Sequence, residues 1–244
     1  MVRCDGHAYT FGPLLAECHP HVYRDNCHAQ YYWMIDGAQP NKLRTPIIPG
    51  FKLVKVWEPD PDRRHPGMST SVADLADTFV VKPQVCSNID EVTEDIDAVF
   101  INNCNGDGSD HLTLATPFLK KGIPTFIDKP FAAQLKDAKA MVALARKHKT
   151  PLFSGSIMSH VNEVTYLKRR LPEIRGPLHL GIVKGVGGPD GPLGAIIHGL
   201  SFAHTVFGTG VEWVECMGDL PLQYVLLHYA SGVEALVVNR HKFE

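Results

Sequence analysis

The sequence predicts an α/β fold, a doubly wound parallel sheet followed by a smaller α+β domain whose sheet is mainly antiparallel. Three observations predict it. From residue 51 onward, short apolar runs alternate with helical patterns at the pace of βα units. The run DAVFI, residues 97–101, is apolar on both faces, as a strand covered by helices on both sides must be. After residue 155 the remaining strand patterns are separated by short gaps that suit antiparallel neighbours. The domains are therefore drawn at 1–155, with an inserted loop at about 29–50, and at 156–244.

Taken in order, MVRC (1–4) is a first strand so short that it implies either residues upstream or unusual trimming. KLVKVW (52–57) reads as a strand, SVADLADTF (71–79) as a helix, PQVC (83–86) as a short strand and IDEVTED (89–95) as a short helix. Ser109 can cap a helix through His111, Leu112, Ala115 and Leu119, with a kink at Pro117 and a left-handed stop at Gly122. PTFI (124–127) is the next strand. QLKDAKAMVALARKH (134–148) sets Leu135, Ala138, Val142 and Ala145 on one stripe, and PLFSG (151–155) closes the series.

In the second domain, 158–171 and 195–208 read as helices, the latter stopped by Gly208. HLGIVKGV (179–186), VEWVECMG, QYVLLHYA and VEALVVNRH read as strands.

Composition excludes several function classes. The 24 Lys and Arg against 26 Asp and Glu leave no positive field to draw nucleic acid or anionic lipid, so neither is expected as a partner. Six scattered cysteines without a C-x-x-C pair, no basic-then-apolar leader and no long apolar run predict a reduced, cytoplasmic protein.

In open α/β sheets ligands sit beyond the carboxyl ends of the strands, so the loops there hold the candidate residues. The first, CDGHAYTFG (4–12), stands where a dinucleotide fold of the Rossmann type would place G-x-G-x-x-G. Only Gly6 occupies a fingerprint position, between Asp5 and His7. The second strand ends at Glu58, where an acid would hold a ribose diol. Glu58 lies 52 residues after Gly6 rather than the about 20 of a plain fingerprint. The intervening insert, rich in aromatics and prolines over 31–50, suits a lid or a partner surface.

The third loop, NNCNGDGSDH (102–111), imitates the start of a calcium loop, but Leu114 stands where glutamate is required. It is either a polar turn and helix cap or a cofactor-facing loop; in the second case Asn102, Asn103, Cys104 and His111 are the contacts. Cys18, His19, His21, Cys27 and His28 suggest zinc. Adjacent Cys-His pairs diverge, however, whereas closed sites use ligands two to four apart, so no metal is assigned.

The fourth loop follows PTFI directly with Asp128, Lys129 and Pro130. Lys129 is either a solvated strand-end lysine or a desolvated proton acceptor with a lowered pKa. The run from Asp97 to Ser156 adds a resemblance to these two readings: DAVFI, then DH followed by LATPFLKKG, then PTFIDKPFA and a covering helix. It resembles the glucose-fructose oxidoreductase, inositol dehydrogenase and rhizopine-catabolism (Gfo/Idh/MocA) family, whose hallmark is an acid-Lys-Pro triplet at this strand end.

The resemblance implies a nucleotide-binding domain paired with an α+β domain holding a sugar-like substrate. It implies that Lys129 contacts substrate and nicotinamide, with Asp128 and Pro130 beside it on the cofactor. The family also carries a histidine with an aspartate three residues on, ahead of a glycine. Counting back from Gly208 matches the histidine to His198 and leaves Ser201 at the aspartate's position. His198 is a catalytic candidate against the alternative of a packed core histidine, and Ser156 and Ser201 join it as substrate contacts. His204, on the same helix, reads as structural.

The chain is therefore expected to be an NAD(P)-dependent oxidoreductase acting on a hydroxyl of a sugar, polyol or sugar acid. Glu58 favours NAD, although Arg63 and Arg64 are near enough in sequence to accept the 2′-phosphate of NADP. Two alternatives stay open. One is a lyase, hydrolase or epimerase that oxidises its sugar transiently. The other is a catalytically idle binding or regulatory member, in keeping with the eroded glycines, the missing aspartate and a short second domain. The family further implies a homodimer or homotetramer joined through the second-domain sheet.

Overall fold

The structure, a computed structural model, describes residues 1–26, 47–62, 71–102, 107–173, 178–184, 191–218 and 222–240. Most of the expected insert lies outside the described residues, as do Cys27, His28, Arg63, Arg64, Asn103 and Cys104. The chain divides into two compact units. The first comprises Met1–Asp128 and Gln134–Phe153, and the second Lys129–Ala133 and Ser154–Glu244. The second unit thus includes the turn after Asp128.

In the first unit β1 (Lys55–Val56) pairs in parallel with β2 (Gln84–Val85). A second group, β3 (Val99–Ile101), β4 (Thr125–Ile127) and β5 (Leu152–Ser154), runs in that order. One residue joins the two groups. Val2 bridges in parallel to Trp57 on one side and to Ile101 on the other. Its neighbours complete the ladder, Arg3 N–H donating to the Trp57 carbonyl at 2.8 Å and Asn102 N–H to that of Val2 at 3.0 Å. The order β2, β1, Val2, β3, β4, β5 reverses direction at Val2, which makes the end of the first strand the topological switch point where such folds bind ligands. This is the doubly wound sheet expected, with its first strand reduced to a bridge.

Helix α1 (Gly6–Leu15) follows Val2 closely, and α2 (Pro20–Asn26) and α3 (Val72–Asp77) lie near it. Ala8, Tyr9 and Leu15 bury against Tyr23, Val56, Leu75 and Phe79. Gly12 permits the approach of α1: a Cβ there would stand 2.6 Å from Phe79 Cζ. Ser71 and Asp74 form a reciprocal capping box on α3.

Helices α4 (Ile89–Val92), α5 (His111–Lys121) and α6 (Leu135–His148) complete the unit. Two expectations need revision. The residue preceding α5 is Asp110, not Ser109, and its side chain makes no cap bond because the carboxylate is drawn to Arg3 instead. The helix runs on through Pro117 to the expected left-handed Gly122, at φ 76°. On α6 the inward stripe is not Leu135 and Val142, which are exposed, but Met141 and Ala145, flanked by half-buried Ala138 and Leu144. Met141 sits three residues after Ala138 and four before Ala145, so it completes the i, i+3, i+7 stripe that Val142 misses by one 100° step.

The second unit holds α7 (Asn162–Arg170), β6 (Leu180–Lys184), α8 (Gly191–Phe207), β7 (Val211–Met217), β8 (Leu222–Tyr229) and β9 (Glu234–Arg240). The sheet order is β6, β9, β8, β7, antiparallel except for the β6–β9 pair. Alternate residues divide its faces. Val183, Val225, Leu227, Tyr229, Ala235 and Val237 bury against Ile196 and Ala203 of α8. Gly208, at φ 91°, ends α8 as expected. The opposite face leaves Leu180, Ile182, Trp213 and Met217 exposed. Among the described residues no helix is long and apolar enough to cross a membrane.

Candidate functional site

The first unit gathers its polar candidates where the strands end. Asp5, in extended backbone, is the N-cap of α1, and its Oδ1 accepts from the N–H groups of His7 (2.9 Å) and Ala8 (3.3 Å). Two of the N-terminal donors that make a helix start an anion seat are therefore already bonded to a carboxylate. Gly6 is buried as the first residue of α1. His7 turns its Nδ1 to Asp128 Oδ2 at the end of β4, a hydrogen bond that ties the first loop to the fourth.

Beside this pair lies a network that sequence reasoning missed. Arg3 follows Val2 with φ 67°, a left-handed backbone that a side chain adopts at a cost of about 1–2 kcal/mol. Its guanidinium forks between two acids, with Nη1 on Glu58 Oε1 at 2.5 Å, and Nη2 and Nε on Asp110 Oδ2 at 2.5 and 3.1 Å. Glu58 Oε2 also accepts the Cys4 N–H at 3.0 Å. Burial first, and the Glu58 carboxylate second, push the Cys4 thiol far above its ordinary range. The signal was present in the sequence: a charged residue inside the otherwise apolar MVRC needs a buried partner.

Asn102 and His111 are fully buried. Asn102 Nδ2 donates to the Arg3 carbonyl at 2.8 Å, so this asparagine clamps the first strand's end to β3. Of the cofactor candidates, Asp5, Gly6, His7, Glu58, Asn102, His111 and Asp128 thus meet at one end of one sheet in the first unit.

Asn103 and Cys104 lie outside the described residues, and the second unit holds Lys129, Pro130 and the substrate candidates. Lys129 is 6% exposed and Asp128, which closes the first unit, 2%. The Lys129–Pro130 peptide is cis. Ser156 is buried, and its Oγ lies 2.6 Å from His198 Nδ1 while accepting the Met158 N–H at 3.2 Å. The carbonyl of Ser201 accepts from Ser159 Oγ at 3.4 Å and from Thr205 Oγ1 at 2.8 Å. His198 is half-buried on α8 and oriented by a hydroxyl, which distinguishes it from a histidine packed only among apolar groups. Among the described residues no three His, Cys, Asp or Glu side chains are grouped to hold a metal.

The frame accommodates a dinucleotide. The switch point, the helix starting beside it and the acid at the end of the second strand are all present. The departure lies in their bonding, since the helix amides hold Asp5 and the acid holds Arg3.

Residues 39–156 match the model of an oxidoreductase family with an NAD-binding Rossmann fold, GFO_IDH_MocA. No curated protein matches the chain. An oxidoreductase from Agrobacterium radiobacter, solved with NAD+, L-tartaric acid and magnesium, is 17% identical over 100% of this chain and 66% of its own, with a TM-score of 0.67. A myo-inositol 2-dehydrogenase from Lactobacillus plantarum is 17% identical over 80% of this chain and 63% of its own, at 0.64. A 3-ketoreductase from Actinomadura kijaniata, solved with NADP, is 17% identical over 80% and 62%, at 0.63. The chain spans less than two thirds of the length of each. At these identities the likeness is one of fold.

Proposed function

From the match of residues 39–156 to the GFO_IDH_MocA oxidoreductase family model, we propose that the chain is an NAD(P)-dependent oxidoreductase acting on a hydroxyl of a sugar, polyol or sugar acid. The observation that carries this reading is the buried Asp128-Lys129-Pro130 triplet directly after β4. A lysine withdrawn from water where ligands of such sheets bind is placed for proton transfer rather than for solubility.

A dinucleotide would be held by the α1 N-terminus with Gly6, by Glu58, by Asn102 and His111 in the third loop, and by Asp128 with its partner His7. When bound, it supplies the hydride acceptor or donor. Everything else falls to side chains. Lys129 Nζ binds the reacting hydroxyl and takes its proton, a contribution of roughly 10²–10⁴ in rate. Ser156 fixes the His198 ring through Nδ1, and that ring is the second group to exchange a proton with the substrate. Ser201 contributes no carboxylate to the relay. The cyclic polyol dehydrogenase and the tartrate complex among the similar structures support the substrate class.

The outer face of the second sheet supports self-association. It sets Leu180, Ile182, Trp213 and Met217 among Lys184, Glu215 and Glu234, a mixture of apolar groups and both charges that can pair with its own copy about a two-fold axis. The idle-binder alternative is favoured by one feature, the Asp5 carboxylate on the α1 amides.

Calorimetric titration with NAD and NADP, followed by a sugar, polyol and sugar-acid screen read at the nicotinamide absorbance, separates the readings. Net cofactor turnover distinguishes an oxidoreductase from an enzyme that oxidises transiently. Lys129→Ala is expected to lower turnover at least about 100-fold and to leave cofactor affinity within about three-fold. A fully active variant would remove Lys129 from the chemistry, and absence of binding to either nucleotide would overturn the reading as a whole.

A further inference from the structure

We propose that Asp5 sets the dinucleotide affinity of this chain, acting as a built-in competitor for the pyrophosphate; this rests on the nucleotide-binding reading above. A helix N-terminus attracts phosphate because its first N–H groups lack intrahelical partners and carry the positive end of the helix dipole. In α1 the N–H groups of His7 and Ala8 point at Asp5 Oδ1 instead, at 2.9 and 3.3 Å. Asp5 is buried, so its charge is poorly screened by solvent.

The surroundings deepen the effect. Among the described residues the carboxylates of Asp5, Glu58, Asp110 and Asp128 gather at the strand ends, where Arg3 pairs with Glu58 and Asp110 and His7 meets Asp128. A pyrophosphate arriving at α1 has to displace the Asp5 carboxylate or share the amides with it, and two anions sharing one seat repel. The nucleoside ends of the ligand meet no such competitor from Asp5. The side chain therefore penalises the diphosphate and not the adenosine.

The test uses the full chain with Asp5→Asn and Asp5→Gly, titrated calorimetrically with NAD, ADP-ribose and adenosine. Asparagine caps a helix as well as aspartate does and glycine costs only a few tenths of a kcal/mol, so both variants keep α1, as melting curves will verify. Both are expected to bind NAD and ADP-ribose at least ten-fold more tightly than the wild type, about 1.4 kcal/mol, with adenosine affinity unchanged. If the wild type binds NAD and neither variant binds it more tightly, the inference fails and the nucleotide-binding reading stands. If adenosine gains as much as NAD, the effect does not act through the diphosphate and the inference again fails. If wild type and variants all ignore NAD, NADP and ADP-ribose, both fail together.

Discussion

Replacing Arg3 tests whether the strand-end network is buried in energetic terms as well as geometric ones. Arg3→Met keeps the apolar stem and removes the guanidinium, leaving Glu58 and Asp110 without their shared cation. Their side chains are only 1% and 17% exposed, against 7% for Arg3. Breaking a buried pair by deleting one partner costs about 3–5 kcal/mol, because the remaining charge stays desolvated. Asp110 can turn partly to water and Glu58 retains the Cys4 N–H, so the lower end, about 3 kcal/mol, is expected. For a unit of this size that corresponds to a fall in Tm of about 6–12 °C. Arg3→Gly loses the same cation but relaxes the φ of 67°, and should be less damaging by about 1 kcal/mol. Adding Glu58→Gln to Arg3→Met should restore about 1–2 kcal/mol by removing the stranded charge. Urea denaturation of the three variants measures all of this. A loss below about 1 kcal/mol for Arg3→Met, the size of a surface pair, or no recovery on adding Glu58→Gln, refutes the reasoning.

Three further outcomes are expected. Ser156→Ala should lower kcat about ten-fold with little change in cofactor affinity and should move the pH profile of kcat/KM, since the ring of His198 loses its 2.6 Å partner; an unchanged profile would make the serine a packing residue. The Cys4 thiol, its pKa raised by burial, binds its proton more tightly folded than unfolded, so its contribution to stability is present at neutral pH and is lost as pH climbs past the unfolded value of about 8.5. Urea midpoints between pH 7 and 10 should accordingly fall more steeply for the wild type than for Cys4→Ala, and parallel slopes would contradict this. Ile182→Asp, midway along the edge strand β6 on the outer sheet face, should convert an oligomer to a monomer in light scattering, and an unaltered mass would free that face from assembly.

The sequence and the structure agree where a pattern is local and part company where an interaction spans the sheet. DAVFI and PTFI were legible as strands because both faces of each are apolar, and Gly122 and Gly208 as stops because a left-handed turn selects glycine. Lys129 was legible as a candidate because an apolar strand runs straight into it, although only the coordinates establish its burial. Ser109 failed as the α5 cap for a reason no local pattern holds. The neighbouring aspartate is claimed by Arg3, a residue 107 positions away in the chain.

The same long-range pairing explains the weak fingerprint. A glycine at the switch point would let backbone approach a phosphate freely, whereas this chain places Arg3, Cys4 and Asp5 there and meets their needs with Glu58, Asp110 and the amides of α1. The groups that replace the glycines are bonded to acids of other strand ends and to the α1 amides. A ligand at this end of the sheet must therefore exchange one set of hydrogen bonds for another rather than fill open donors, and its affinity depends on how readily Asp5 lets go.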